Sequence, residues 1–380
     1  MRAVVSVCCG AVVALAASAS GVKAGDMCDQ ALAAVHAARP DQAAPACAEA
    51  PFGVVLAADA TRARALTLLA QGGESRFKRH FGQDPGRYAI MDYDAADGIR
   101  GWGAALRSAG FHRTLPNLSQ AAFARAITES VRRSVEANPQ AAMMSAEMKE
   151  AAVAAALVSQ RSKLTPFGLA ETEATSVPHE IGHNWFIQAY WPQSGADAAG
   201  HYGGPGPDWL DELAAVLHEN DQLTADRRRQ FKAVYLQQPD RKVLPDVTAK
   251  ELTDLRTYLS REHPANRGVR DALAKIRQAS GGKRSADGVT VLTGAEASAV
   301  SKDGLIFYLQ SRAFADFLME RTENPQVFAE IATADASGVG FARWLAKSSS
   351  KYKLAASVTA LEKQWHVWLI RKHTSTKSMK

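Results

Sequence analysis

Residues 176–186 read Ser176-Val177-Pro178-His179-Glu180-Ile181-Gly182-His183-Asn184-Trp185-Phe186, and the rest of the chain is best read outward from this stretch. On a helix, His179 and His183 lie four residues apart and project from one face about one turn from each other. Two imidazoles so placed can hold a single Zn²⁺. Glu180 follows the first histidine and stands beside the open metal position, where it can take a proton from water. The pattern is the H-E-x-x-H spacing, which carries weight only with a structural context that completes it. Ser176 is the expected N-cap, which puts Pro178 in the first turn, where its missing N–H costs little.

Two histidines do not fill a zinc site, so a further ligand must come from elsewhere in the chain. Residues 208–216 read Asp208-Trp209-Leu210-Asp211-Glu212-Leu213-Ala214-Ala215-Val216, an amphipathic helix with Trp209, Leu213 and Val216 as its inward stripe. Glu212 flanks that stripe and faces inward if this helix packs on the first, so its carboxylate is the expected third ligand. His201, among glycines in the intervening loop, is the competing ligand. Glu219, further on, is either an orienting partner for a ligand histidine or a solvated side chain.

The segments H-E-I-G-H-N-W-F and W-L-D-E-L-A-A resemble the two zinc helices of the gluzincin metallopeptidases, nearest to their aminopeptidase N-like branch. The resemblance implies a zinc hydrolase acting on a peptide or protein substrate, with His179, His183 and Glu212 as metal ligands and Glu180 as general base. It also implies a catalytic role for Tyr308, in Phe307-Tyr308-Leu309-Gln310-Ser311. Many gluzincin-like proteins carry a tyrosine-bearing helix after the zinc site, whose hydroxyl can stabilise an oxyanion. The alternative for Tyr308 is an aromatic of the core. Two departures matter. The 28 residues between His183 and Glu212 exceed the linker of the aminopeptidases. Their Gly-x-Met-Glu-Asn motif, which grips a free amine, has only a poor counterpart in Gly168-Leu169-Ala170-Glu171-Thr172, so exopeptidase activity does not follow. The excess linker, Pro192 to Pro207, reads as a loop that is either a lid or a plain surface insertion.

A chain of 380 residues at 47% hydrophobic can bury a large core. Its 22% charged residues are mixed in sign with a net charge of +6. No Arg/Lys run with interleaved aromatics is visible, which argues against nucleic acid as a partner. Arg2, the apolar stretch Ala3 to Ala19 and the small-residue pattern Val22-Lys23-Ala24 read as a secretory signal over residues 1–24. An uncleaved anchor is the competing reading. No other run is long and apolar enough to span a bilayer, so no stable membrane insertion is expected after cleavage, and the destination is secreted or periplasmic. Cys8 and Cys9 would leave with the signal, while Cys28 and Cys47 remain. A bridge between these two would fasten residues 25–50 with a stabilisation of roughly 3 kcal/mol. Two unpaired thiols are the alternative, less at home in an oxidising compartment.

Phe52 to Ala57 and Tyr88 to Tyr93 read as strands around the Gly82-Gln83-Asp84-Pro85-Gly86 turn, with helices at Ala60 to Ala70 and Trp102 to Ser108. A helix is predicted from Ser119 to the Asn138-Pro139 break, and an alanine-rich one over 141–160. Together they give a mixed α/β lobe over 51–170. Thr165-Pro166-Phe167-Gly168 reads as an interruption, followed by an extended segment through Ala174 that leads into the zinc-binding helices and loop of 171–220. Residues 221–373 read as a helical C-terminal lobe, with a Gly/Ser/Lys-rich connection at Ser280 to Asp287 and helices at Leu305 to Met319 and Leu354 to Ile370. The expected class is α+β: a mixed α/β N-terminal lobe with a small sheet, zinc-site helices at a cleft, and a mostly helical C-terminal lobe. The expected function is a secreted zinc metallopeptidase. The alternative is a catalytically silent gluzincin-like binding or structural protein of the cell envelope.

Overall fold

The two apolar runs expected as strands lie side by side in the computed structural model, which describes residues 26–193, 205–236, 252–264 and 294–374. In chain order come α1 (Asp26–Ala38), β1 (Ala46–Glu49), β2 (Gly53–Ala57), α2 (Ala60–Phe81), β3 (Tyr88–Tyr93), α3 (Trp102–Ser108) and β4 (Arg113–Leu118). The sheet runs β1-β2-β3-β4, with β1 antiparallel to β2 and the other pairs parallel. Side chains alternate across it with the period of two that a strand imposes. Val54, Leu56, Ala89 and Met91 pack with Met27, Ala31 and Val35 of α1 and Trp102 and Leu106 of α3. Val55, Ala57, Tyr88 and Ile90 face the main core, shared with α2. Because both faces are covered, β2 is apolar throughout, as buried parallel strands are. Cys28 and Cys47 form a disulfide, with Cα atoms 5.7 Å apart, tying α1 to β1.

Helix α2 runs on to Phe81, beyond the end expected at Ala70. Gly72 and Gly73 weaken helix propensity and read as a break. Packing reverses that preference, because a Cβ on Gly73 would lie 3.1 Å from the Trp185 ring, so the small residue lets two helices meet.

From β4 onward the described chain is helical: α4 (Gln120–Glu136), α5 (Ala146–Val158), α6 (Pro166–Tyr190), α7 (Asp208–His218), α8 (Asp221–Tyr235), α9 (Leu255–Ser260), α10 (Gly294–Thr322), α11 (Val327–Ala336), α12 (Phe341–Tyr352) and α13 (Val358–Thr374). The architecture is therefore α+β, with a small mixed sheet in the N-terminal region and a helical C-terminal part. Two expectations about the segment before His179 are overturned. No extended segment precedes the H-E-x-x-H stretch: α6 starts at Pro166, and its N-cap is Thr165, whose Oγ1 accepts from the Gly168 N–H at 3.0 Å. Ser176 lies inside that helix, and so does Pro178.

Helix α7 is buried on every side from Trp209 to His218, packed among α6, α10 and α2. The sequence shows only its most apolar stripe. Among the described residues no helix is long and apolar enough to cross a membrane. The signal segment 1–24, most of the Pro192–Pro207 loop with His201, the Ser280–Asp287 connection and the final residues 375–380 lie outside the described residues.

Candidate metal centre

An interior proline lacks the N–H that would bond the carbonyl four residues back. In α6 this leaves the Ala174 carbonyl without its helical donor, and the Asn220 side chain supplies one from Nδ2 at 3.2 Å. Asn220 is also the N-cap of α8, its Oδ1 accepting from the Leu223 N–H at 2.8 Å. One side chain thus repairs the gap beside His179 and fixes the turn between α7 and α8. Further along α6, Gly182 meets the His218 ring of α7, where an added Cβ would stand 2.8 Å from Nδ1. This close approach brings Glu212 of α7 over the face of α6 that carries both histidines.

His179, His183 and Glu212 converge, with one ligand atom from each within 4.8 Å of the others, and all three are buried. His179 Nε2 is 3.4 Å from Glu212 Oε1, and His183 Nε2 is 3.8 Å from Oε2. The group could hold a metal ion. Glu212 is 1% exposed, and neither of its oxygens accepts a hydrogen bond among the described residues. A buried carboxylate in that state costs several kcal/mol unless a cation stands before it.

Each imidazole turns its other nitrogen to a carboxylate. His179 Nδ1 donates to Glu219 Oε1 at 3.0 Å, and His183 Nδ1 donates to Asp211 Oδ1 at 2.9 Å. A carboxylate can only accept, so these bonds keep a proton on each Nδ1, and loss of the other ring proton would leave both Nε2 lone pairs aimed at Glu212. Glu219 is buried and also receives the Arg227 guanidinium through Nε and Nη2. Burial pulls the pKa of His179 down, but Glu212, Glu219 and Glu180 outweigh it and leave it above the ordinary value. Burial likewise opposes protonation of His183, yet Asp211, Glu212 and Glu180 push it up to about 10. Burial raises Glu212 against the pull of the two histidines and Arg227. Four carboxylates thus surround two imidazoles and one guanidinium, an interior that favours positive charge, carried by protons on the rings or by an added cation.

Tyr308 of α10 reaches the site: its ring centroid is 5.6 Å from that of His179, and the Arg227 guanidinium lies 4.8 Å from its centre. A third histidine joins it. His263, 1% exposed, stacks on Tyr308 at 5.5 Å and places Nε2 3.6 Å from Glu212 Oε2. Its backbone N–H donates to Asp208 Oδ2 at 2.6 Å, which fastens it to the first turn of α7.

Sequence reasoning named His179, Glu180, His183, Glu212 and Tyr308, and the structure brings these into one neighbourhood. Glu219 takes the orienting position and is not solvated. Asp211, Arg227 and His263 were missed. Asp211 carried a signal, being an acid on the same turn as a ligand. Arg227 stands in a run of three arginines that reads as a solvated face, and His263 had no local signal. Glu171, in the poor counterpart of the amine-gripping motif, is exposed on α6, one helix with His179.

No family model, curated protein or solved structure matches this chain. The centre therefore stands on its own geometry.

Proposed function

We propose that this chain is a zinc-dependent metallopeptidase of the gluzincin type, exported to the periplasm or the exterior. The observation that carries the reading is the buried carboxylate of Glu212, which accepts no hydrogen bond among the described residues and faces two imidazole Nε2 atoms at 3.4 and 3.8 Å. Ligands arranged tetrahedrally at 2.0–2.1 Å from zinc stand roughly 3.4 Å from one another, so the donors are spaced for one such ion. Two histidines and a glutamate are also the donor set of a catalytic site that keeps a position open. Zinc bound there would act as a Lewis acid on the scissile carbonyl and acidify water at the site.

The chain's own residues supply the rest. Glu180, half-buried on the turn between the two histidines, accepts the proton of the attacking water and returns it to the departing amine. We assign the Tyr308 hydroxyl and the His263 imidazole, whose rings stack beside Glu212, as hydrogen-bond donors to charge that develops on the carbonyl oxygen. Glu219 and Asp211 hold the ligand histidines in the metal-binding tautomer. Export is supported by the Cys28–Cys47 disulfide, which persists in oxidising compartments, together with the signal-like residues 1–24.

The test is metal content and turnover measured together. Purified protein should contain one equivalent of zinc, and hydrolysis of a mixed peptide library should stop with a chelator and return with added zinc. Metal-free protein from a zinc-replete preparation defeats the site. Zinc-loaded protein that cleaves no peptide assigns the chain to the catalytically silent alternative.

A further inference from the structure

We propose that Arg227 is a positioning residue of the metal centre: it clamps Glu219, and Glu219 in turn sets the orientation of the His179 imidazole. The inference rests on the metal-binding reading of His179, His183 and Glu212 given above.

The two ligand histidines are supported differently. Asp211, the partner of His183, lies inside α7 directly before Glu212, so helix backbone on both sides holds it in place. Glu219, the partner of His179, stands just past the last residue of α7, where no helical turn constrains it. A carboxylate at a helix end, buried at 1% exposure, needs another anchor. Arg227 provides one from two turns into α8. Its Nε and Nη2 donate to both oxygens of Glu219, the forked pairing in which guanidinium is strongest and most directional. Glu219 Oε1 is left shared between Arg227 and His179 Nδ1.

Arg227 is itself buried, with a side chain 9% exposed. Placing a guanidinium there is costly unless it is matched. Its neighbours in the arginine run do other things: Arg228 pairs with Asp316 and Arg229 with Asp226, both more than half exposed. Arg227 alone turns inward, and its far face lies over the Tyr308 ring. The Asn220 bond to the Ala174 carbonyl pins the start of α8 to α6 one turn before His179, which fixes the register of the clamp against the ligand.

The measurement is made on the full chain loaded with Co²⁺, reading the visible absorption of the metal and its rate of loss to excess chelator. Arg227→Met should lose Co²⁺ about 10- to 100-fold faster than wild type, with an altered spectrum, the range expected when a partner of a ligand histidine is removed. Arg227→Lys should fall between, since an ammonium cannot hold both oxygens at once. Glu219→Gln should match Arg227→Met, and the double variant should be no worse than either, because the two act along one path. Circular dichroism checks the fold, and if Arg227→Met does not fold, Arg227→Lys and Glu219→Gln carry the test. Wild-type spectrum and loss rate in the folded Arg227 variants, or multiplied effects in the double variant, overturn the inference alone. A wild-type chain that takes up no Co²⁺ overturns the metal site and this inference with it.

Discussion

His183 Nδ1 donates to Asp211 Oδ1 at 2.9 Å, while the next residue along, Glu212, stands 3.8 Å from the opposite nitrogen of the same ring. Two adjacent acids on α7 therefore address both sides of one imidazole. Asp211→Asn keeps an acceptor but removes the charge that would strengthen His183 as a donor to a metal ion. Metal affinity, measured by competition with a chelator, should fall about 10- to 100-fold while the fold is kept. Unchanged affinity would show that Asp211 merely fills space.

The proposed function gives Glu180 proton transfer and not metal binding. Glu180→Gln should keep one equivalent of zinc and lose about 10²- to 10⁴-fold in peptide hydrolysis. A variant that loses zinc along with activity contradicts this division.

Burial pushes the pKa of His80 down to about 4, with its Nδ1 bonded to the Pro325 carbonyl at 3.3 Å. The unfolded chain, with an ordinary histidine near 6.5, binds the proton more tightly than the folded one. Stability from this group is thus complete above pH 6.5 and is lost as pH falls toward 4, by roughly 3 kcal/mol at most. Thermal unfolding of wild type and His80→Gln across this window should show a shallower decline in the variant. Parallel curves would remove His80 from the acid response.

Asn220 both caps α8 and serves the carbonyl that Pro178 deprives of a donor. Asn220→Ala should cost about 1–3 kcal/mol in denaturant unfolding. Adding Pro178→Ala restores a backbone donor to Ala174, so the double variant should recover part of that loss. Additive losses would mean that the carbonyl was never the issue.

Gly182→Ala places a methyl 2.8 Å from His218 Nδ1, inside the contact that sets α6 against α7. The expected outcome is a loss of about 1–3 kcal/mol in stability accompanied by weaker metal binding, since Glu212 rides on the displaced helix. Loss of stability with intact metal affinity would separate the packing from the site.

Much of this was legible in the chain. The four-residue step between His179 and His183 places both on one face wherever that helix begins, and the apolar stripe around Glu212 marks an inward carboxylate. The start of α6 was not legible: a proline at 178 reads as a beginning because the Asn220 side chain that satisfies the freed carbonyl comes from 46 residues further along. The same holds for Gly73, whose value lies in the Trp185 ring from another helix.

Periodicity and residue spacing are properties of neighbours along the chain, so the sequence by itself determined the strand pair and the helix face that the two histidines share. Which distant groups meet those ligands is a matter of packing. The sequence singles out neither Arg227 nor His263, and only the packing of α8 on α10 and of the segment after α9 on α7 brings them beside Tyr308 and Glu212. The physical reason is that a buried charge is chosen by its partner across space, and no local pattern records that partner.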